Sequence, residues 1–115
     1  MTSSVDVYRF THRNWHCMVR KIPFGNWNGY VLIPHGHWIH DAFRSYDALS
    51  REVEVHGGIT YWGRDGVGFD TMHDGDEMVM PDGFVIPGRK WTRDDVEKET
   101  RTLADQLIDL KKKGE

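Results

Sequence analysis

Cysteine is nearly absent: Cys17 stands alone among 115 residues. No disulfide can close within the chain, and one thiolate cannot build a cysteine-rich zinc site. Long apolar runs are missing too. None approaches the roughly 20 residues that span a bilayer, and Met1–Asp6 is polar, without the apolar core of a signal segment. These absences lead to the expectation of a cytoplasmic protein with no membrane partner. An excess of positive charge is also lacking. Lys and Arg number 15 against 18 Asp and Glu, a formal charge of -3. Wholesale binding to a nucleic-acid backbone needs a basic face, so nucleic acid is not an expected partner beyond a local basic patch. Repeats, linkers and low-complexity segments are absent. So is any match to a phosphate-binding P-loop, a dinucleotide fingerprint or a nucleophile elbow.

What is present is aromatic and glycine-rich. Five Trp, five Phe and four Tyr offer large areas for burial in a chain sized for one core, and twelve Gly imply many tight turns. Alternation predicts a strand over Val5–Thr11, a polar corner at His12–Asn14 and a returning strand over Trp15–Ile22, together a hairpin. Pro23 and Gly25–Asn28 end it, and Tyr30–Ile33 reads as a third strand. Ile39, Phe43, Tyr46 and Leu49 recur at spacings of four and three, which suits a short helix. Val53–Val55 and Ile59–Trp62 read as strands broken by His56–Gly58. Val67–Asp70 follows the Arg64–Gly66 turn, so it pairs with Ile59–Trp62. Met78–Met80 and Phe84–Ile86 are placed to pair across Pro81–Gly83.

The last element has the strongest signature. Thr92 is a good N-cap, and Asp94 and Asp95 complement the positive end of the helix dipole. Val96, Thr100, Leu103, Leu107 and Leu110 form an apolar stripe flanked by Ala104 and Ile108, and Lys111–Lys113 follow. That stripe must pack on the sheet. The expected fold is therefore α+β: residues 1–115 as a single domain, an antiparallel sheet of short strands with a C-terminal amphipathic helix on one face.

Two segments carry candidate chemistry. In His56–Gly57–Gly58–Ile59–Thr60, the paired glycines allow close approach by a ligand, and exposed N–H groups beside His56 and the Thr60 hydroxyl could grip a phosphate or carboxylate. The plainer reading is a tight turn with a solvated histidine. In the second segment Asp70, His73, Asp74 and Asp76 fall within seven residues. Asp70, His73 and Asp76 are candidate ligands for a divalent metal, or His73 and His56 with Asp70 could serve as an acid–base pair. The plainer reading is an Asp–Gly turn whose side chains cap their own backbone. Pairing of the flanking strands would bring His56 near Asp70 and His73. His35, His37 and His40 read as a loop of solvated histidines more readily than as a metal site. Trp15, Trp27, Tyr30, Trp38, Tyr61 and Trp62 exceed what a small core needs, so some could stack on a ring.

The ordered segments Pro34–His35–Gly36–His37 (P-x-G-H), His56–Thr60 (H-G-G-x-T) and Gly68–Asp76 (G-F-D-x-x-H-x-G-D) resemble those of a family of small phage and prophage proteins. The resemblance implies a phage setting, in an infected or lysogenic host cell. It groups His37, His56, Thr60, Asp70, His73 and Asp76 as one constellation, and it implies no particular activity. The stretch Trp38–Arg51 departs from the pattern, being longer and lacking a glycine soon after His37.

Three functions follow as expectations. The first is capture of a small anionic, nucleotide-like ligand to counter host defence, using His56, Gly57, Gly58, Thr60, Tyr61, Asp70, His73 and Asp76. The second is a metal-assisted or His/Asp acid–base hydrolase of a phosphoester or nucleotide-derived bond. The third is an aromatic surface that blocks a host protein. A homodimer through an open sheet edge is compatible with all three.

Overall fold

A computed structural model of the protein describes residues 6–23, 25–63 and 66–112. Val5, Arg64, Asp65 and Lys113, each part of an expected element, lie outside the described residues. The chain opens with the expected hairpin, β1 (Val7–His12) and β2 (Trp15–Lys21), paired from Val7↔Arg20 to His12↔Trp15. Its corner is only Arg13–Asn14, with φ of 50° and 71°. Two successive left-handed residues match the twist of the flanking strands. The Arg13 side chain reaches from this corner to Asp105 and Asp109 near the chain's C-terminal end.

β3 (Trp27–Val31) pairs with β2, from Cys17↔Val31 to Lys21↔Trp27. The strand thus begins earlier than the apolar run Tyr30–Ile33 suggested. The strand meets the C-terminal helix through Gly29, where a Cβ would collide with Thr100 Oγ1 and the Phe69 ring. Only glycine lets the helix close on this strand. The region expected to hold one short helix holds two, α1 (Ile39–Ala42) and α2 (Tyr46–Ser50), which bury Ile39 and Leu49. β4 (Tyr61–Gly63) and β5 (Gly66–Phe69) form the second expected hairpin. β5 also pairs with β3, closing an antiparallel five-stranded sheet in the order β1-β2-β3-β5-β4. β6 (Met78–Val79) and β7 (Val85–Ile86) make a separate two-stranded ribbon.

Val53–Val55 is not a strand. Gln106 of the last helix holds it instead: Glu54 N–H donates to Gln106 Oε1 (2.7 Å), and Gln106 Nε2 donates to Glu54 O (2.7 Å). A side-chain amide thereby replaces the ladder partners that an extended segment needs.

α3 (Arg93–Asp109) starts at a full capping box, in which Thr92 and Asp95 satisfy each other's backbone N–H groups. It lies across β2 and β3 and touches β1. Its buried Val96, Thr100, Leu103, Ala104 and Leu107 meet Cys17, Val19, Val31, Val67 and Phe69 of the sheet. Leu110, expected to extend the stripe, is the C-cap in an extended conformation. Asp105 and Asp109 oppose the helix dipole near its C-terminus. Arg13 neutralises both at 3.1 Å and 2.8 Å, and His12 Nε2 sits 2.7 Å from Asp105. The architecture is α+β, with an antiparallel sheet covered on one face by the C-terminal helix. Among the described residues no helix is long and apolar enough to cross a membrane.

Candidate functional site

Beside the β4–β5 edge, the loop that follows β5 folds back over the glycine turn that precedes β4. Five of the sequence-selected residues come together there: His56, Thr60, Asp70, His73 and Asp76. The two glycines make the approach possible. Gly57 and Gly58 adopt φ of 71° and 79°, and a Cβ on Gly57 would overlap the His73 imidazole. The His73 ring therefore rests directly on the turn, and the rings of His56 and His73 meet edge to face with centroids 5.5 Å apart.

Asp76 organises the cluster. It is only 2% exposed, and its two oxygens accept from three sources. His56 Nε2 lies 2.8 Å and 3.0 Å away, the His73 backbone N–H is 3.0 Å from Oδ2, and Trp91 Nε1–H is 2.9 Å from Oδ1. Burial by itself would raise the carboxyl's pKa. The hydrogen bonds from His56, His73 N–H and Trp91 overcome it and hold the group below its ordinary value. A buried, ionised Asp76 accepts the Nε2 proton of His56, so that in the neutral imidazole the lone pair is on Nδ1. That nitrogen has no hydrogen-bond partner among the described residues. Trp91 packs on the same imidazole with centroids 4.5 Å apart, and Arg89 stacks on Trp91 at 3.7 Å. The His56 backbone N–H donates to Glu99 Oε2 at 2.7 Å.

Asp70 makes a second, looser pair with His73. Its Oδ2 accepts from the Thr60 hydroxyl (2.8 Å) and its Oδ1 from Met72 N–H (3.0 Å). His73 Nε2 stands 3.1 Å from Asp70 Oδ1 but out of line for a hydrogen bond, and has no other partner among the described residues. Of the donors expected to grip an anion, Gly58 N–H bonds Val55 O (2.8 Å) and the Thr60 hydroxyl bonds Asp70 Oδ2 (2.8 Å), while Gly57 N–H makes no hydrogen bond among the described residues. The neighbouring Ile59 N–H bonds Ser50 Oγ (3.0 Å), and Thr60 N–H bonds Gly68 O (2.9 Å).

Asp70, His73 and Asp76 do not converge on a common point. Asp76 turns toward His56 and Trp91, Asp70 toward Thr60, and no group of three or more His, Cys, Asp or Glu among the described residues could hold a metal ion. Two other selected residues lie elsewhere. Tyr61 packs on Tyr30 with centroids 5.5 Å apart. His37 packs between Trp15 and Trp38 (5.1 Å and 5.7 Å), where burial, then the charge of His40, lowers its pKa.

Trp91 and Glu99 were not among the selected residues. Glu99 looked like one more charge on the polar side of α3, and Trp91 closed a loop with no periodicity to place it. Both border the same end of α3, and His56 and Glu99 line a groove of about 910 Å³ together with Arg51, Glu52, Glu54 and Gln106. Comparison of the chain with protein-family models, with curated proteins and with solved structures finds no match.

Proposed function

We propose that the chain is a hydrolase in which His56 is the general base and Asp76 fixes its orientation. The observation that supports this reading is the buried Asp76 carboxylate on Nε2 of His56, a histidine that also lines the groove. Nδ1 would take a proton from water as its oxygen attacks the substrate. The resulting imidazolium, facing Asp76, would return that proton to the departing group, so the step needs no further reactant. Three carboxylates in the groove, Glu52, Glu54 and Glu99, stand against one guanidinium, Arg51. That charge balance favours a neutral or cationic substrate over the phosphoester expected from the sequence. It also favours acid–base chemistry over capture of an anion at this cluster. The phage setting rests on the motif resemblance alone and would make the substrate a host molecule.

The experiment is a pH–rate survey with neutral and cationic chromogenic esters, amides and glycosides, on the wild type, His56→Gln and Asp76→Asn. His56→Gln should lower turnover by roughly a hundred- to ten-thousand-fold, the usual contribution of a positioned acid–base group. Turnover preserved in a folded His56→Gln protein, or absent from the wild type across the survey, would sink the reading.

A further inference from the structure

The face of the sheet turned away from α3 carries a second arrangement that the histidine cluster does not explain. Register puts Arg9, Met18, Tyr30, Gly68 and Tyr61 in one row across all five strands. Side chains alternate along a strand, so this row and its neighbours, which include His16 and Arg20, point away from the helix. Arg9, His16, Arg20 and Tyr61 are exposed, and Met18 and Tyr30 are half-buried.

Glycine shapes the surface. Gly68 has no Cβ to block the Tyr30 ring, which lies over it. Tyr61 then meets Tyr30 edge to face at an interplanar angle of 83°. Arg20 is fixed from the other side, donating from Nη2 to the Tyr30 hydroxyl at 3.1 Å. Arg9 and Arg20 sit diagonally on adjacent strands, since Arg9 faces Met18 and Arg20 faces Val7. Long side chains at diagonal positions can reach a common group. Arg9, Arg20, Tyr30 and Tyr61 together border a groove of about 570 Å³.

Its charge is the opposite of the chain's. The formal charge is -3, with 18 carboxylates, yet none of the five strands contains an Asp or Glu. Among the described residues neither Arg9 nor Arg20 has an ion-pair partner. Guanidinium groups beside tyrosine rings suit a ligand that joins phosphate to a flat base: the fork geometry of Arg matches phosphate oxygens, and the rings stack on the base. The volume falls within the range of small-ligand sites. Two arginines on a net acidic chain are too few for the long phosphate track of a nucleic-acid strand.

We propose that this groove binds a nucleoside phosphate, with the base against Tyr30 and Tyr61 and the phosphate between Arg9 and Arg20. The site is separate from the His56 cluster and does not rest on hydrolysis there.

The test is a titration of the full chain with AMP, adenosine, inorganic phosphate and an oligothymidylate, followed by backbone amide NMR. AMP should shift amides of β1 to β4 and leave those around Asp76 unmoved. Adenosine and phosphate should each bind roughly ten-fold or more weakly than AMP, because each keeps half of the contacts. Arg20→Glu should weaken AMP by roughly ten-fold or more, and the exposed Tyr61→Ala by about five-fold or more. Because Tyr61 is 51% exposed, the second variant tests the site even if the first perturbs the strand. Four results would overturn the proposal: no shift with any probe at millimolar concentration, AMP shifts centred on His56 and Asp76, unchanged AMP affinity in both variants, or tighter binding of the oligothymidylate than of AMP.

Discussion

At the scale of single residues, Asp76 concentrates the most structure into one side chain. It joins the turn at His56, the loop at His73 and the entry to α3 at Trp91. An asparagine has one acceptor oxygen, and its amide N–H₂ would face donors. Hydrogen bonds to a charged group are worth about 1.5–3 kcal/mol each, and a donor left unsatisfied adds to the loss. Asp76→Asn should therefore lower unfolding stability by about 2–4 kcal/mol at neutral pH, read from urea midpoints. The sign with pH follows from the direction of its shift. The folded-state pKa lies below the ordinary value of 3.8, so the carboxylate's contribution is fully present above that value and is lost as pH falls through the folded one. The gap between wild type and Asp76→Asn should thus shrink on acidification from about pH 5 to about pH 3. A gap that stays constant over that range would show that Asp76 is not the ionised hub. The residue types of this cluster were legible in the sequence, because pairing of the strands on either side of the expected Arg64–Gly66 turn carries the His56 turn toward the loop that follows Asp70. Their roles were not. Gly57 and Gly58 promised free backbone donors, but Gly58 N–H is taken by Val55 O, and the missing Cβ of Gly57 gives clearance to the His73 ring. His37 shared the motif order, yet its neighbours are the Trp15 and Trp38 rings.

Elements were legible wherever a local signal and the tertiary contact agreed. α3 had both a capping sequence and a periodic stripe, and it was placed almost to the residue. The β1–β2 and β4–β5 hairpins followed from alternation flanking short polar or glycine corners. Val53–Val55 misled because a run of β-formers indicates an extended backbone and not the partner that satisfies it. Here that partner is Gln106, a polar residue on the helix that nothing in a periodic pattern distinguishes from its neighbours. Gln106→Ala would strip both backbone groups of Glu54 of their partners. It should cost about 1–2 kcal/mol, two modest hydrogen bonds at a partly solvated site, and should speed amide exchange at Glu54. Gln106→Glu keeps the acceptor for Glu54 N–H and loses the donor to Glu54 O, so its effect should fall between wild type and alanine. Equal exchange rates at Glu54 in all three proteins would show that the segment is held by packing of Val53 and Val55 alone.

On the scale of the whole molecule, sheet, short helices and α3 share one core, and Cys17 lies inside it at 4% exposure. Burial pushes its thiol pKa from 9.0 up to about 11, a rise that the charge of Arg101 opposes only in part. A thiol that ionises more easily unfolded than folded makes stability depend on alkalinity. Its contribution is fully present below the unfolded value near 9 and is lost as pH rises through the folded value near 11. A shift of this size corresponds to about 2–3 kcal/mol at most. Tyrosines and lysines titrate over the same range, so wild type alone cannot isolate the effect. Cys17→Val is the needed comparison, being close in volume and favoured in a strand. Urea midpoints of wild type should fall more steeply than those of Cys17→Val between about pH 8 and about pH 10.5. In the same window, alkylation of Cys17 should proceed only as fast as the chain unfolds, since the native thiol is both enclosed and protonated. Rapid native labelling at pH values near 8, with parallel alkaline curves for the two proteins, would mean that the sheet opens on the α3 side without global unfolding. Sheet and helix would then be two cooperative units and not one.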